Sequence, residues 1–214
     1  MIPKCIHYCW FGKNPKTELM LLCIESWRKY CPDWEIIEWN EDNFDVEFCE
    51  YSKRAYKQKR YGFLSDAARL KIIYDNGGVY LDTDVELRHS LDELCDYDAF
   101  FGYGTTCEIN TGSGFGAVKG LPFIKRLLDQ YIMFDKNTKF ELCTVLDTRI
   151  FKEVFPSFAA DHDVQQIFEN ILILNNIWHY VIHHYTGTWQ TPLQRMFGIW
   201  KWKIRGLIRK PGKT

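Results

Sequence analysis

Leu64-Ser65-Asp66-Ala67-Ala68-Arg69-Leu70-Lys71-Ile72-Ile73-Tyr74-Asp75-Asn76-Gly77-Gly78-Val79-Tyr80-Leu81-Asp82-Thr83-Asp84-Val85 is the stretch whose reading decides the fold. From Ser65 the residues Ala68, Leu70, Ile72, Ile73 and Tyr74 continue a helical pattern. Asn76-Gly77-Gly78 stops it, because glycine after the last turn takes a left-handed conformation without a Cβ clash. Val79-Tyr80-Leu81 then reads as a short apolar strand that Asp82-Thr83-Asp84 leaves. Alternate strand residues share a face, so the two carboxylates are expected to project together, with Thr83 opposite.

Working outward, Cys5 to Trp10 reads as a first strand and Gly12-Lys13-Asn14-Pro15 as its turn. A helix is expected from its cap Thr17, with Leu19, Leu22, Cys23, Ser26 and Trp27 on the buried face, and Pro32 ends it. Trp34 to Trp39 gives a second strand and the acidic segment Asn40 to Asp45 a loop. Strand and helix alternating this early favour an α/β layer with a parallel sheet. Further strands are expected at Ala99–Tyr103, Phe115–Val118, Ile171–Leu174 and Tyr180–Ile182. A helix from Gly120-Leu121-Pro122 to about Met133 buries Ile124, Leu127, Leu128 and Tyr131, and residues 138–153 read as helical. Thr191-Pro192-Leu193-Gln194 offers a capping box for a last helix.

The 214 residues, 46% hydrophobic and 26% charged, suit one catalytic domain, residues 1–190, with an appendage, 191–214. No run of about 18 apolar residues occurs, so a cytoplasmic protein is expected. The eight cysteines form no C-x-x-C pair and read as reduced thiols. Net charge −1 hides an asymmetry: residues 1–194 carry 20 basic against 28 acidic side chains, while seven basic and no acidic ones follow. On a helix, Met196, Phe197, Trp200, Ile204, Leu207 and Ile208 face one way and Arg195, Lys201, Arg205 and Arg209 the other, with Ile199 and Trp202 off the pattern. That basic amphipathic helix suits an anionic membrane surface, at the inner face of the cell membrane, or packing on the domain with its charges solvated. Nucleic acid is not expected, because the acidic body would oppose it.

Two carboxylates this close in an apolar setting repel unless a cation lies beside them. A hard divalent ion, Mn²⁺ or Mg²⁺, takes one or two carboxylates and fills its other positions with water and diphosphate oxygens. A nucleoside-diphosphate sugar needs that chemistry, because charge grows on its diphosphate as the glycosidic bond breaks. A lone D-x-D is common in solvated turns; its position directly after Gly-Gly-Val-Tyr-Leu weighs for the functional reading.

The run Leu64 to Val85 resembles the D-x-D signature of glycosyltransferases related to yeast initiating mannosyltransferases and bacterial capsular-polysaccharide transferases, a family 32-like group. It is more distantly similar to the glucosylating domains of large clostridial toxins. Ile2 to Gly12 and His183-His184-Tyr185-Thr186-Gly187-Thr188-Trp189 resemble the bacterial group at both ends. The resemblance implies a GT-A fold, a single Rossmann-like mixed sheet flanked by helices, with the donor at the carboxyl ends of the strands. It implies metal-dependent, retaining transfer of a hexose or N-acetylhexosamine from a UDP-sugar, or from GDP-mannose, to a glycan or lipid-linked acceptor in surface polysaccharide synthesis.

Residue by residue, the resemblance makes Trp10 the aromatic on the nucleotide base, against an ordinary core or edge tryptophan. Asp66 and Arg69, three apart on one helical face, would hold sugar hydroxyls and the diphosphate region, or form a plain intrahelical ion pair. Tyr80 would touch the donor, Asp82 would reach the ribose or sugar and the metal's water shell, and Asp84 would bind the metal directly. His184 opens H-x-x-G-x-W and would be the histidine metal ligand, with His183 competing for the role; Trp189 would close over the donor. Asn110-Thr111-Gly112-Ser113-Gly114-Phe115-Gly116 lacks the Lys-Ser/Thr of a P-loop and reads as a turn and strand lining the sugar or acceptor side. Two rival readings are an aspartyl-phosphate-type phosphatase, disfavoured by the motif's late position, and a non-catalytic sugar-nucleotide or glycan-binding module.

Overall fold

A computed structural model describes residues 1–104, 107–135, 139–161 and 163–187. The chain divides into two compact units, Met1–His184 and Tyr185–Thr214. Trp189, the expected helix from Thr191 and the basic segment 195–210 lie outside the described residues.

The first unit is built on a seven-stranded mixed sheet in the order β2 (Glu35–Trp39), β1 (Cys5–Cys9), β3 (Gly78–Tyr80), β6 (Phe115–Ala117), β5 (Ala99–Gly102), β8 (Ile171–Leu174), β7 (Gln166–Phe168). β1 runs parallel to β2 and β3, so the early alternation of strand and helix does build a parallel layer. β6 then reverses the direction, pairing antiparallel with both β3 and β5, and β8 runs parallel to β5. A separate two-stranded antiparallel ribbon, β4 (Val85–Leu87) with β9 (Val181–His183), stands beside this sheet. The helices are α1 (Glu18–Tyr30), α2 (Glu50–Lys57), α3 (Tyr61–Asn76), α4 (Pro122–Ile132) and α5 (Cys143–Val154).

Period-two alternation divides the core between the two faces of the sheet. Tyr80, Phe101, Ile171 and Ile173 join the cluster containing Leu64, Ile73 and Phe151, whereas Val79, Phe100, Leu172 and Leu174 join the one containing Trp27. α1 begins as its cap predicts, with Thr17 accepting from the Met20 amide at 3.4 Å. Its buried stripe is Met20, Cys23, Ile24 and Trp27, and Leu22 is 59% exposed. The observed face is rotated by about one residue from the expected one: positions 20, 23, 24 and 27 give the i, i+3, i+4, i+7 spacing, and 19 and 22 flank it.

The Gly77-Gly78 stop is present, with φ at +72° and +97°. A Cβ on Gly78 would lie 2.8 Å from both the Cys5 carbonyl and His7 Nε2, so β3 approaches β1 through a gap only glycine leaves. His7 is buried there; its Nε2 meets the Gly77 carbonyl at 3.0 Å while Trp39 Nε1 donates to its Nδ1 at 3.0 Å. Cys5, Cys9, Cys23, Cys31, Cys49, Cys95 and Cys143 are free thiols. Among the described residues no helix is long and apolar enough to cross a membrane.

Candidate functional site

Asp82, Thr83 and Asp84 lie beyond β3, not on it. They form a turn in which the Val85 amide donates to the Asp82 carbonyl at 3.0 Å. The expectation that strand alternation aims the two carboxylates is thereby corrected: the turn and its tethers aim them. The Asp82 amide donates to the Gly112 carbonyl at 3.3 Å, and the His184 amide to the Asp84 carbonyl at 2.9 Å. Just beyond the turn, Trp27 Nε1 of α1 donates to the Val85 carbonyl at 2.7 Å, and the Leu87 amide donates to Ser26 Oγ at 2.9 Å. The acidic turn is therefore held by α1, by the 110–113 loop and by β9.

β9 brings a third side chain of a metal-ligating type. Val85 pairs with His183, so the His183 ring lies beside the turn. Ligand atoms of Asp82, Asp84 and His183 all fall within 4.8 Å of one another. His183 Nε2 is 3.2 Å from Asp84 Oδ1, and its Nδ1 is 3.0 Å from Ser113 Oγ, which accepts from Asn110 Nδ2 at 2.7 Å. A ring held at one nitrogen presents the other in a fixed direction, the outer support that metal-binding imidazoles use. His184 is not brought to this cluster: its Nε2 faces Glu86 Oε2 at 3.0 Å.

Arg69 joins the motif to α3. Its guanidinium Nη2 is 2.5 Å from Asp66 Oδ1 and 3.7 Å from Asp82 Oδ1, and its Cζ lies 5.0 Å from the centre of the Tyr80 ring. Tyr80 donates its hydroxyl to Asp82 Oδ1 at 3.0 Å. Asp66 and Arg69 are thus more than a helical ion pair, because the same arginine reaches the D-x-D carboxylate. Burial pushes the Asp66 carboxyl up to about 6 against the opposing pull of Arg69. Asp82 is raised as well, by burial first and then by Asp84, with Arg69 and His183 opposing. Crowded carboxylates left with raised affinities for protons are an environment that a further cation would relieve.

Gly112 is a site residue that the sequence places only loosely, within a small-residue loop. A Cβ there would lie 2.6 Å from Asp82 Oδ2 and 3.0 Å from Arg69 Nη1. Trp10, three residues past the His7–Tyr80 register pair, lies at the carboxyl end of β1, partly buried, with its Nε1 donating to the Asn14 carbonyl at 2.7 Å. The structure thus gathers Asp66, Arg69, Tyr80, Asp82, Asp84 and His183, and puts Trp10 at the same end of the sheet.

Residues 17–101 match the family model of the glycosyltransferase sugar-binding region containing the DXD motif. The match holds Asp66, Arg69, Tyr80, Asp82 and Asp84, and stops short of His183. Inositol phosphoceramide mannosyltransferase 3 of Schizosaccharomyces pombe is 29% identical over 153 residues, 68% of this chain and 41% of that protein. Inositol phosphoceramide mannosyltransferase 1 of the same organism is 27% identical over 141 residues, 63% of this chain and 44% of that protein. The chain thus spans under half the length of the curated relatives it matches. Among solved structures, the PaToxG glycosyltransferase superposes with a TM-score of 0.55 at 17% identity, covering 72% of this chain and 70% of that one. The matched segment is thus similar to the DXD-containing sugar-binding region of glycosyltransferases, and the fold is that of the PaToxG glycosyltransferase.

Proposed function

We propose that the chain transfers a hexose from a nucleoside-diphosphate sugar to a hydroxyl of a glycan or lipid-linked acceptor, with a divalent cation at Asp82, Asp84 and His183. The observation that carries this reading is the convergence of those three side chains within 4.8 Å, beside the Arg69–Asp66 pair. Two carboxylates and one imidazole are a donor set suited to Mn²⁺, and also to Mg²⁺ with more of its positions filled by water and phosphate. When bound, such an ion stabilises the charge that develops on the departing diphosphate.

The chain's own residues supply the remainder. Arg69 holds a fixed positive charge between Asp66 and Asp82, where a sugar-diphosphate junction would lie. Asp82, steadied by Tyr80, faces the donor sugar and ribose, and Trp10 offers an aromatic surface for the base. In the proposed reaction the bond from the sugar's anomeric carbon to the diphosphate oxygen breaks and a bond to the acceptor oxygen forms. The acceptor's proton passes to the departing diphosphate, with retention of configuration. The relatives' names point to mannose, hence a GDP-linked donor, and to an acceptor carried on a phosphorylated lipid; a UDP-sugar and a surface polysaccharide are the bacterial counterparts. The basic segment 195–210 is the part proposed to meet an anionic membrane surface, which sedimentation of a chain shortened to Trp189 with anionic vesicles tests.

The decisive experiment incubates the protein with a panel of UDP- and GDP-sugars plus Mn²⁺ and measures nucleotide release. Release that disappears in Asp84→Asn supports the transferase. Phosphate release from simple monoesters, or donor binding with no turnover in the presence of varied glycan and lipid acceptors, would overturn it.

A further inference from the structure

Among the described residues, four buried side-chain polar atoms have no hydrogen-bond partner: Oε2 of Glu41, the hydroxyls of Tyr51 and Tyr131, and Oδ1 of Asp147. Asp147 is wholly buried in α5, an expensive place for a carboxyl group, and the donor site described above does not use it. Its other oxygen is engaged: Thr111 Oγ1 donates to Asp147 Oδ2 at 2.9 Å. The next residue of α5 grips the same loop, with the Ile109 amide donating to Thr148 Oγ1 at 2.9 Å. The loop so held contains Gly112, which abuts Asp82, and Ser113, which meets His183.

The direction of the Thr111 hydrogen bond matters. A hydroxyl has one proton and two lone pairs, and an arginine can only donate. Once the proton is committed to Asp147, the lone pairs are left for Arg69, whose Nη1 lies 3.5 Å from Thr111 Oγ1. We propose that Asp147 is a positioning residue: by fixing the Thr111 hydroxyl as an acceptor it orients the Arg69 guanidinium, and with it the sugar-facing side of the site. The catalytic consequence rests on the transferase reading above; the orientation of Arg69 does not.

Burial raises the Asp147 carboxyl to about 7, and the Thr111 hydrogen bond and Arg69 oppose that shift by favouring the ionised, accepting form. An amide would do the same work.

The test compares Asp147→Asn, Asp147→Ala and Thr111→Val in the full chain. Nitrogen-edited NMR of the Arg69 side chain reads rotation of its guanidinium, and nucleotide release gives kcat and KM. In Asp147→Ala and Thr111→Val the guanidinium rotates faster, kcat/KM falls about tenfold to a hundredfold, and the double variant is no worse than the poorer single one. Asp147→Asn restores slow rotation and turnover within about twofold, since its amide oxygen still accepts. Unchanged rotation in Thr111→Val, or a Thr111→Val enzyme with wild-type turnover beside an impaired Asp147→Ala, overturns the relay. Should Asp147→Ala fail to fold, Thr111→Val decides alone, because it removes the relay and leaves the carboxyl in place. A wild-type protein inactive with every donor would sink the proposed function, and the rotation measurement would still decide the role of Asp147.

Discussion

Replacing Gly112 with alanine is the sharpest probe of the proposed donor site, because it crowds Asp82, Arg69 and Asn110 at once. The added Cβ would lie 2.6 Å from Asp82 Oδ2, 3.0 Å from Arg69 Nη1 and 3.2 Å from Asn110 Oδ1. Ordinary contact begins near 3.4 Å, so the carboxylate or the loop must give by roughly 0.8 Å. Gly112 is not among the residues with positive φ, so alanine brings no backbone strain. In the unfolded chain alanine is the stiffer residue, which offsets part of the crowding by about 0.4–1 kcal/mol. A misplacement near 1 Å at a reacting centre costs about a hundredfold in rate, or about 2.7 kcal/mol of barrier. Gly112→Ala is therefore expected to lower kcat/KM for nucleotide release about a hundredfold while the thermal midpoint moves by only a few degrees. Full turnover in the variant would refute the placement of Asp82 in the site. So would a loss of activity that merely tracks a collapse in stability.

Gly120→Ala should do the reverse: its φ is +73° with nothing within 4 Å of an added Cβ, so it costs about 1–2 kcal/mol in chemical denaturation and leaves turnover intact. His7 supplies a pH test, because burial lowers its pKa from 6.5 to about 4 and the folded protein keeps it neutral. The unfolded chain takes up that proton first, so the stability is present above pH 6.5 and is lost as pH falls towards 4, about 3 kcal/mol in all. Urea unfolding from pH 7 to pH 4 should show that slope in the wild type and lose most of it in His7→Gln; equal slopes would contradict the assignment. For the paired histidines, His183→Ala should abolish Mn²⁺-dependent thermal stabilisation by a nucleoside diphosphate, whereas His184→Ala should retain it. The opposite pattern would return the ligand role to His184.

Local features are legible in the sequence where one short segment decides them. The Thr17 cap, the Gly77-Gly78 stop and the apolar strand before Asp82 each depend on neighbours within a few residues, and the structure has all three. α2 escapes such a reading because only Tyr51, Ser52 and Ala55 of its eight residues are buried, which leaves too narrow an apolar stripe to see. β4 and β7 have three residues each, too few for alternation to show. Asp147 is illegible for another reason: a carboxylate in an amphipathic helix reads as solvated, and only the tertiary packing of α5 on the 109–113 loop reveals that it is buried.

The choice between His183 and His184 shows most clearly where sequence runs out. Both precede the same glycine and tryptophan, and both are chemically competent. What separates them is the register of β9 on β4, in which Val85 pairs with His183 and Glu86 with Ile182. Side chains on a strand alternate, so a slip of one residue would send His184 towards Asp84 and His183 towards the far side. The register is fixed by apolar burial rather than by the histidines: Val85, Leu87 and Val181 are each 0–1% exposed, and a slip would carry Val181 out of the core. The histidine that faces Asp84 is therefore chosen by the burial of hydrophobic residues in the ribbon. Val181→Thr, which weakens that preference while keeping the side chain's shape, should loosen donor-dependent Mn²⁺ binding more than Ile182→Thr, whose side chain lies on the partly exposed face.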